Sequence, residues 1–197
     1  MAWVGIIPIG SLELSSSLFY IGRMKTLRFF VIGLLGAATT WAATFSLNSP
    51  AFENGKPIPK IFTADGNNIS PTLGWSGTPS GTKELALICE DPDAGSSPWI
   101  HWVMFSIPPS THELPEWEPT RGQLGGTQGP RQGKNSFGNI GYGGPEPPPG
   151  KWHHYYFRLY ALDARLNLPA GITAAELGSK MRGHVLAKAQ WMGIYRR

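Results

Sequence analysis

The chain lacks most of the features that announce an enzyme class. It has one cysteine in 197 residues, so no internal disulfide can form. No C-x-x-C, H-x-H or H-E-x-x-H spacing marks a metal centre. No G-x-S-x-G elbow marks a serine hydrolase. The glycine-rich segments match neither G-x-x-x-x-G-K-S/T nor a G-x-G-x-x-G that follows a strand, which argues against a nucleotide loop. Charge is scarce, at 15% of residues. The formal net charge is +4, of which residues 1–42 hold +2, leaving +2 dispersed over the other 155. With no Lys/Arg run in that part, a nucleic-acid partner is not expected.

What is abundant points to a β-rich fold. Apolar residues make up 41% of the chain, with 8 Trp, 25 Gly and 18 Pro. That is enough for one ordinary core and too little for two large domains. The Gly, Pro and aromatic content favours short strands and long ordered loops over a helix bundle. Cys89 lies inside the run Leu85-Ala86-Leu87-Ile88-Cys89. It is expected to be a small buried hydrophobe rather than a reactive thiol.

Residues 1–42 are set apart as a leader. Met24-Lys25-Thr26-Leu27-Arg28 forms a basic start, and Phe29 to Ala38 an apolar run of signal-peptide length. Thr40 and Ala42 supply the small residues for cleavage before Ala43. The run is short and wrongly flanked for a membrane span, and an uncleaved membrane anchor is the lesser alternative. Residues 1–23 are expected to be a start-site extension and 24–42 the signal peptide. Residues 43–197 then form a single exported domain, periplasmic or secreted, with no stable span after cleavage.

In that domain Thr44 to Leu47 alternates as a first strand. Glu84 to Glu90, Trp99 to Ile107 and Trp152 to Leu162 are near-continuous apolar runs, the pattern of strands buried on both faces. Pro108 to Gly150 is too long for an ordinary connection and suggests an ordered loop beside a site, anchored by Phe137, Ile140 and Tyr142. Thr173 and Glu176 form a capping box that starts a short helix. His184 to Trp191 is expected to be a second short helix, with Gly193 to Arg196 a closing strand.

Three strand tips carry the chemistry. Asp91-Pro92-Asp93 follows one apolar run, His101 sits early in the next, and His153 opens the third. Side chains two apart share a strand face. His153, Tyr155, Phe157, Leu159 and Ala161 therefore line one face, while His154, Tyr156, Arg158 and Tyr160 line the other. The same rule groups His101 with Val103, Phe105 and Ile107. Each pocket histidine is the polar end of an apolar stripe. Pro92 disfavours helix at Asp91, and an extended Asp-Pro-Asp directs both carboxylates to one side. The plain alternative is a turn. Two imidazoles beside two carboxylates suit a small phosphate or ammonium group, a metal ion, or acid/base work. His112 and His184 have no partner suggested by the sequence and are expected to be surface or structural residues.

Asp91-Pro92-Asp93-Ala94, Trp99-Ile100-His101-Trp102-Val103, Gly133-Lys134-Asn135-Ser136-Phe137, Gly144-Pro145-Glu146-Pro147-Pro148 and His153-His154-Tyr155 together resemble the phosphatidylethanolamine-binding proteins. The bacterial Raf kinase inhibitor-like branch is the nearest look. Asn68-Ile69-Ser70-Pro71 and His184-Val185-Leu186-Ala187 fit as well, so the likeness runs from Thr44 to Arg197. It implies a mainly β, antiparallel sandwich-like fold with two short C-terminal helices. It also implies an anion pocket at Asp91, Asp93, His101, His153 and Tyr155, with Gly144 and Pro145 beside it. No catalytic residue, cofactor or metal is implied. The expected ligand is a small phosphate-bearing molecule or a phospholipid head group. Modulation of a partner protein, as a kinase or protease inhibitor would do, is an added role. The alternative is an envelope hydrolase that uses His101 or His153 as base, and a third reading is a structural interaction protein. Both monomer and homodimer stay open. The chain departs from the family pattern at Gly95, where Pro is common, and at His154, where Arg is usual.

Overall fold

A computed structural model describes residues 44–197 of the chain. The leader expected over 1–42 lies outside the described residues. Eight strands, one 3-10 turn and one α-helix follow in order. They are β1 (Ser46–Asn48), β2 (Leu73–Ser76), β3 (Glu84–Asp91), β4 (Trp99–Ile107), β5 (Glu113–Leu114), β6 (Arg131–Gln132), β7 (His153–Leu162), α1 (Ala174–Met181) and β8 (Val185–Tyr195). The 3-10 turn is Lys60–Phe62.

The strands form two antiparallel sheets, β1-β2-β5 and β6-β4-β3-β7-β8. β3, β4 and β7 are the apolar runs expected from the sequence. In β3 and β4 that continuity has a physical cause, because the centre of the five-stranded sheet is covered on both faces. β7 is a correction: one of its faces is buried and the other only half-buried. On one face of the sheet Leu87, Cys89, Trp102, Phe157 and Leu159 pack with Leu47, Leu73, Trp75 and Leu114 of the smaller sheet, which makes the sandwich. On the other, Ala86, Ile88, Val103 and Phe105 pack under Leu177 and Met181 of α1. Cys89 is buried as expected, and burial pushes its thiol well up from the ordinary range.

Helix α1 starts where the capping box predicts. Thr173 Oγ1 accepts the Glu176 N–H at 3.2 Å, and the Glu176 carboxylate accepts the Thr173 N–H at 2.7 Å. Leu177 and Met181, one turn apart, turn to the sheet. Among the described residues no helix is long and apolar enough to cross a membrane.

The second helix is a correction. Residues 185–195 are β8, paired with β7 from Leu162↔Val185 to His153↔Tyr195. Leu, Ala, Lys and Gln in that segment are good helix formers. Pairing along a ten-residue neighbour outweighs that weak local preference. Ala187, Ala189, Trp191 and Tyr195 all turn to the sandwich core, spaced at the strand period of two. His184 also has a partner after all: its Nδ1 lies 2.8 Å from Asp163 Oδ1.

Candidate functional site

Three strand ends meet at one pole of the five-stranded sheet. β3 ends at Asp91, whose register partner is Trp99 at the start of β4. β7 starts at His153 and runs antiparallel to β3, with Glu90 opposite Tyr156. Antiparallel pairing therefore brings Asp91 together with His153, 62 positions away in the chain.

The Asp-Pro-Asp motif is both a turn and a site element. Asp93 N–H donates to Asp91 Oδ1 at 2.8 Å, closing an Asx turn as β3 ends. This leaves Asp91 Oδ2 for His153, whose Nδ1 donates to it at 2.7 Å. Asp93 turns to the rim instead. Its Oδ2 accepts from the His154 backbone N–H at 2.9 Å and the His154 Nδ1 at 2.7 Å. The two carboxylates both border the pocket, but each serves a different histidine. Burial opposes ionisation of Asp93, and the bonds from His154 outweigh it, so its pKa falls below the usual carboxylate value.

His101 reaches the site by a route that simple alternation misses. Cys89 pairs with Trp102 but Glu90 pairs with Ile100, so His101 is an extra residue in β4. Such a bulge re-aims a side chain. Val103 and Phe105 pack under α1, whereas the His101 ring stands edge-on to Tyr155 at 5.1 Å and to Phe137 at 5.6 Å. A second shift, between the pairs Leu85↔Ile107 and Leu87↔Met104, returns Ile107 to the sandwich core. The grouping of His101 with Val103, Phe105 and Ile107 is thus corrected, because two bulges interrupt the period.

β7 has no such interruption over this stretch. His153, Tyr155, Phe157, Leu159 and Ala161 are buried, and His154, Tyr156, Arg158 and Tyr160 are half-buried on the other face. His154 and Tyr156 stay outside the pocket. Arg158 is paired with Glu90 there.

Hydrogen bonding fixes both imidazoles. The Gly143 carbonyl can only accept, so His101 Nδ1 carries the proton and donates at 2.6 Å. Asp91 fixes His153 the same way. In each ring Nε2 is left as the nitrogen available to a ligand. Burial pushes the His101 pKa down, against the pull of the Gly143 carbonyl and Asp91. Tyr155 is 1% exposed and its hydroxyl has no hydrogen-bond partner. Burial first, then the charge of Asp91 beside it, drive that phenol far above its ordinary pKa, so it stays a donor.

These groups border a cavity of about 450 Å³. Of the expected site residues, Asp91, Asp93, His101, His153 and Tyr155 line it directly. Gly144 and Pro145 stand one layer behind. Gly144 N–H donates to Asn68 Oδ1 at 2.7 Å, and the Pro145 carbonyl accepts from Ala64 N–H at 3.0 Å. A Cβ on Gly144 would lie 2.5 Å from the Phe62 carbonyl oxygen, so only glycine fits. The wall itself is Glu146 to Pro149, with Trp99 and Phe137 at the mouth, their rings edge-on at 5.5 Å. Lys151 also lines the cavity and was missed. Its signal was present, since Lys151, His153 and Tyr155 alternate. The C-terminal Arg197 grips Asp65 at 2.6 Å and reaches Glu146 at 3.3 Å, tying the wall to the end of the chain.

The chemistry of the lining is mixed. Three carboxylates, Asp91, Asp93 and Glu146, face Lys151 and two imidazoles. Comparisons with known proteins bear on the family of the chain. The profile described as Phosphatidylethanolamine-binding protein matches residues 48–196. A Methanothermobacter thermautotrophicus protein named UPF0098 is 49% identical over 152 residues, covering 77% of this chain and 99% of its own. A solved phosphatidylethanolamine-binding protein homologue from Chlamydia trachomatis is similar at 39% identity and a TM-score of 0.69, over 78% of this chain and 97% of its own. E. coli YbcL, described as a member of the mammalian PEBP family, is similar at 33% identity and a TM-score of 0.73, over 79% and 99%. With a profile spanning residues 48–196, relatives covered over nearly their whole length and solved neighbours of similar fold, this chain belongs to the phosphatidylethanolamine-binding protein family.

Proposed function

We propose that residues 43–197 act as one exported, non-catalytic binding domain, whose pocket takes a small phosphate-bearing molecule or a phospholipid head group. The observation that carries this reading is the set of unspent groups in one cavity: the Tyr155 hydroxyl, the Nε2 atoms of His101 and His153, and the Lys151 ammonium. All but the two Nε2 atoms are donors as they stand. Each imidazole becomes a donor by taking one proton, which a bound phosphate favours. Asp91 holds the His153 ring in place. Asp93 and Glu146 suit an ammonium carried on the same ligand. Export rests on the leader sequence. It is supported by a Mycobacterium tuberculosis relative with a lipoprotein name, LppC, 36% identical over 155 residues.

Native mass spectrometry of the protein purified from its host tests the ligand class. A retained phosphorylated small molecule or phospholipid supports the reading, and a cavity that exchanges no such molecule sinks it. One observation favours a second reading. The Asp91–His153 pair is also the orienting half of an acid/base arrangement, which would suit a hydrolase. Turnover of an ester or phosphoester that disappears in His153→Ala would select that reading. Modulation of a partner protein would rest on the same pocket and its mouth.

A further inference from the structure

The opposite pole of the five-stranded sheet holds a second cavity, of about 420 Å³, that the function above does not use. It opens where β3 begins and β4 ends. β3 has eight residues, so the two cavities lie about 23 Å apart at roughly 3.3 Å per residue.

Three cations border it, Lys83, Arg131 and Arg165. Among the described residues none of them forms an ion pair. Arg131 is held instead by carbonyls, donating to Leu168 O at 3.0 Å and Thr127 O at 3.3 Å, which fixes its charge between two loops. The one carboxylate in the lining, Glu84, is 3% exposed and fully occupied. Its Oε1 accepts from Ser106 N–H at 2.9 Å and its Oε2 from Leu166 N–H at 3.1 Å. Burial pushes the Glu84 pKa up, and those two N–H groups and the nearby Arg131 and Arg165 pull it back. Counting Glu84 as ionised, the hollow carries a formal +2, as much as the entire charge of residues 43–197.

A bland account would make these cations a solvated rim. Two features argue otherwise. Arg131 is half-buried, and a concave wall focuses the field of like charges instead of letting them disperse. The backbone there is also strained. Only four non-glycine residues among those described have positive φ, and two of them, Ser106 at 55° and Asn167 at 51°, border this cavity. Left-handed conformations cost free energy and cluster where a site needs its groups aimed. Glu84 pins the first of these loops directly and the second through Leu166.

We propose that this cavity is a second anion site, which takes a small phosphorylated molecule between Lys83, Arg131 and Arg165. Ser106 and Thr127 line the same cavity. The planar guanidinium of Arg131, already fixed, suits two oxygens of one phosphoryl group. The volume leaves room for more than that group.

Titration of the isotopically labelled protein with inorganic phosphate, at ionic strength balanced with sodium chloride, tests the proposal by amide chemical shifts. Saturable shifts are expected at Ser106, Thr127, Gly129 and Asn167. In Lys83→Gln/Arg165→Gln they should need at least tenfold more phosphate, while shifts near Asp91 and Tyr155 keep their midpoint. Both side chains are exposed, so folding should be unaffected, and the remaining amides report on that within the same spectra. His153→Gln should do the reverse, weakening only the first pocket. Absence of saturable shifts at the four amides overturns the second site. So do shifts with the same midpoint in the double variant. Neither result touches the first pocket, whose own amides are read separately.

Discussion

β7 and β4 each deliver one histidine to the pocket, and they do it by opposite means. β7 is regular, so every second side chain from His153 to Ala161 is buried in one stripe. β4 is interrupted twice, at His101 and near Ser106. Without the first bulge, His101 would follow Val103 and Phe105 under α1, away from Asp91 and His153. The regular strand places its histidine by sequence period alone. The irregular strand places its own by spending a residue to change faces. A site of this kind needs both, because two strands of perfect alternation would have fixed the facing of their polar ends by the needs of the core.

The largest expected effect breaks the regular strand. Phe157 is fully buried in the β7 stripe. Phe157→Ala should lower the unfolding free energy by about 3–5 kcal/mol, read from denaturant midpoints. A loss below about 1 kcal/mol would mean the stripe is not the core of this sheet.

Neighbours on β7 give the next test. His153→Ala should weaken phosphomonoester binding at least tenfold, about 1.4 kcal/mol. His154→Ala, on the other face, should leave it within about twofold. Equal losses would collapse the inside–outside distinction. Phosphate should also bind more tightly as pH falls below the ordinary imidazole value of about 6.5, because burial lowers the His101 pKa. Both Nδ1 protons are already committed to acceptors, so an anion is best met by an added proton on Nε2. Each proton taken up gives a slope of roughly one decade per pH unit above the relevant pKa. Calorimetry in buffers of different ionisation enthalpy counts the protons, and a count of zero would leave the imidazoles neutral and the pH argument void.

The contrast between the strands also marks what the sequence could reveal. The apolar runs of β3, β4 and β7 and the facing of His153 against His154 follow from period and composition, so they were legible. The Thr173–Glu176 cap was legible because it is local. The His101 bulge was not, since an extra residue is visible only against the register of its partner strand. β8 was misread for a related reason. Its helix-forming residues speak for themselves, while the strand pairing that overrides them belongs to β7. Its period of two, with Ala187, Ala189 and Trp191 inward, was the stronger cue. Asp93 was expected beside Asp91 in one role. The Asx turn that separates them depends on which backbone N–H each oxygen meets, which no residue list contains.

Smaller effects sharpen β4. Ser106 sits at φ 55°, which disfavours any residue with a Cβ. Ser106→Gly should therefore stabilise the protein by up to about 1 kcal/mol, the opposite of any truncation in β7. Destabilisation instead would show that the Ser106 side chain matters more than its backbone. Gly144→Ala falls between these cases. Its Cβ would crowd the Phe62 carbonyl, so the pocket wall must shift, and ligand binding should suffer more than stability.

The smallest effect belongs to the rim pair that tells the two aspartates apart. Asp93 and His154 are 40% and 43% exposed in their side chains, so water screens their attraction. Asp93→Asn should cost no more than about 1 kcal/mol at neutral pH. The sign follows from the lowered pKa of Asp93. A depressed folded-state pKa contributes stability above the unfolded value of about 3.9, and that contribution is lost as pH falls through the folded one. Wild type and variant should therefore converge in stability below about pH 4 and part again above it. Asp91, buried against His153, has no such screening, and Asp91→Asn should cost more at neutral pH. If the two substitutions cost the same, exposure does not govern these pairs, and the division of the motif into a buried anchor and a rim contact is wrong.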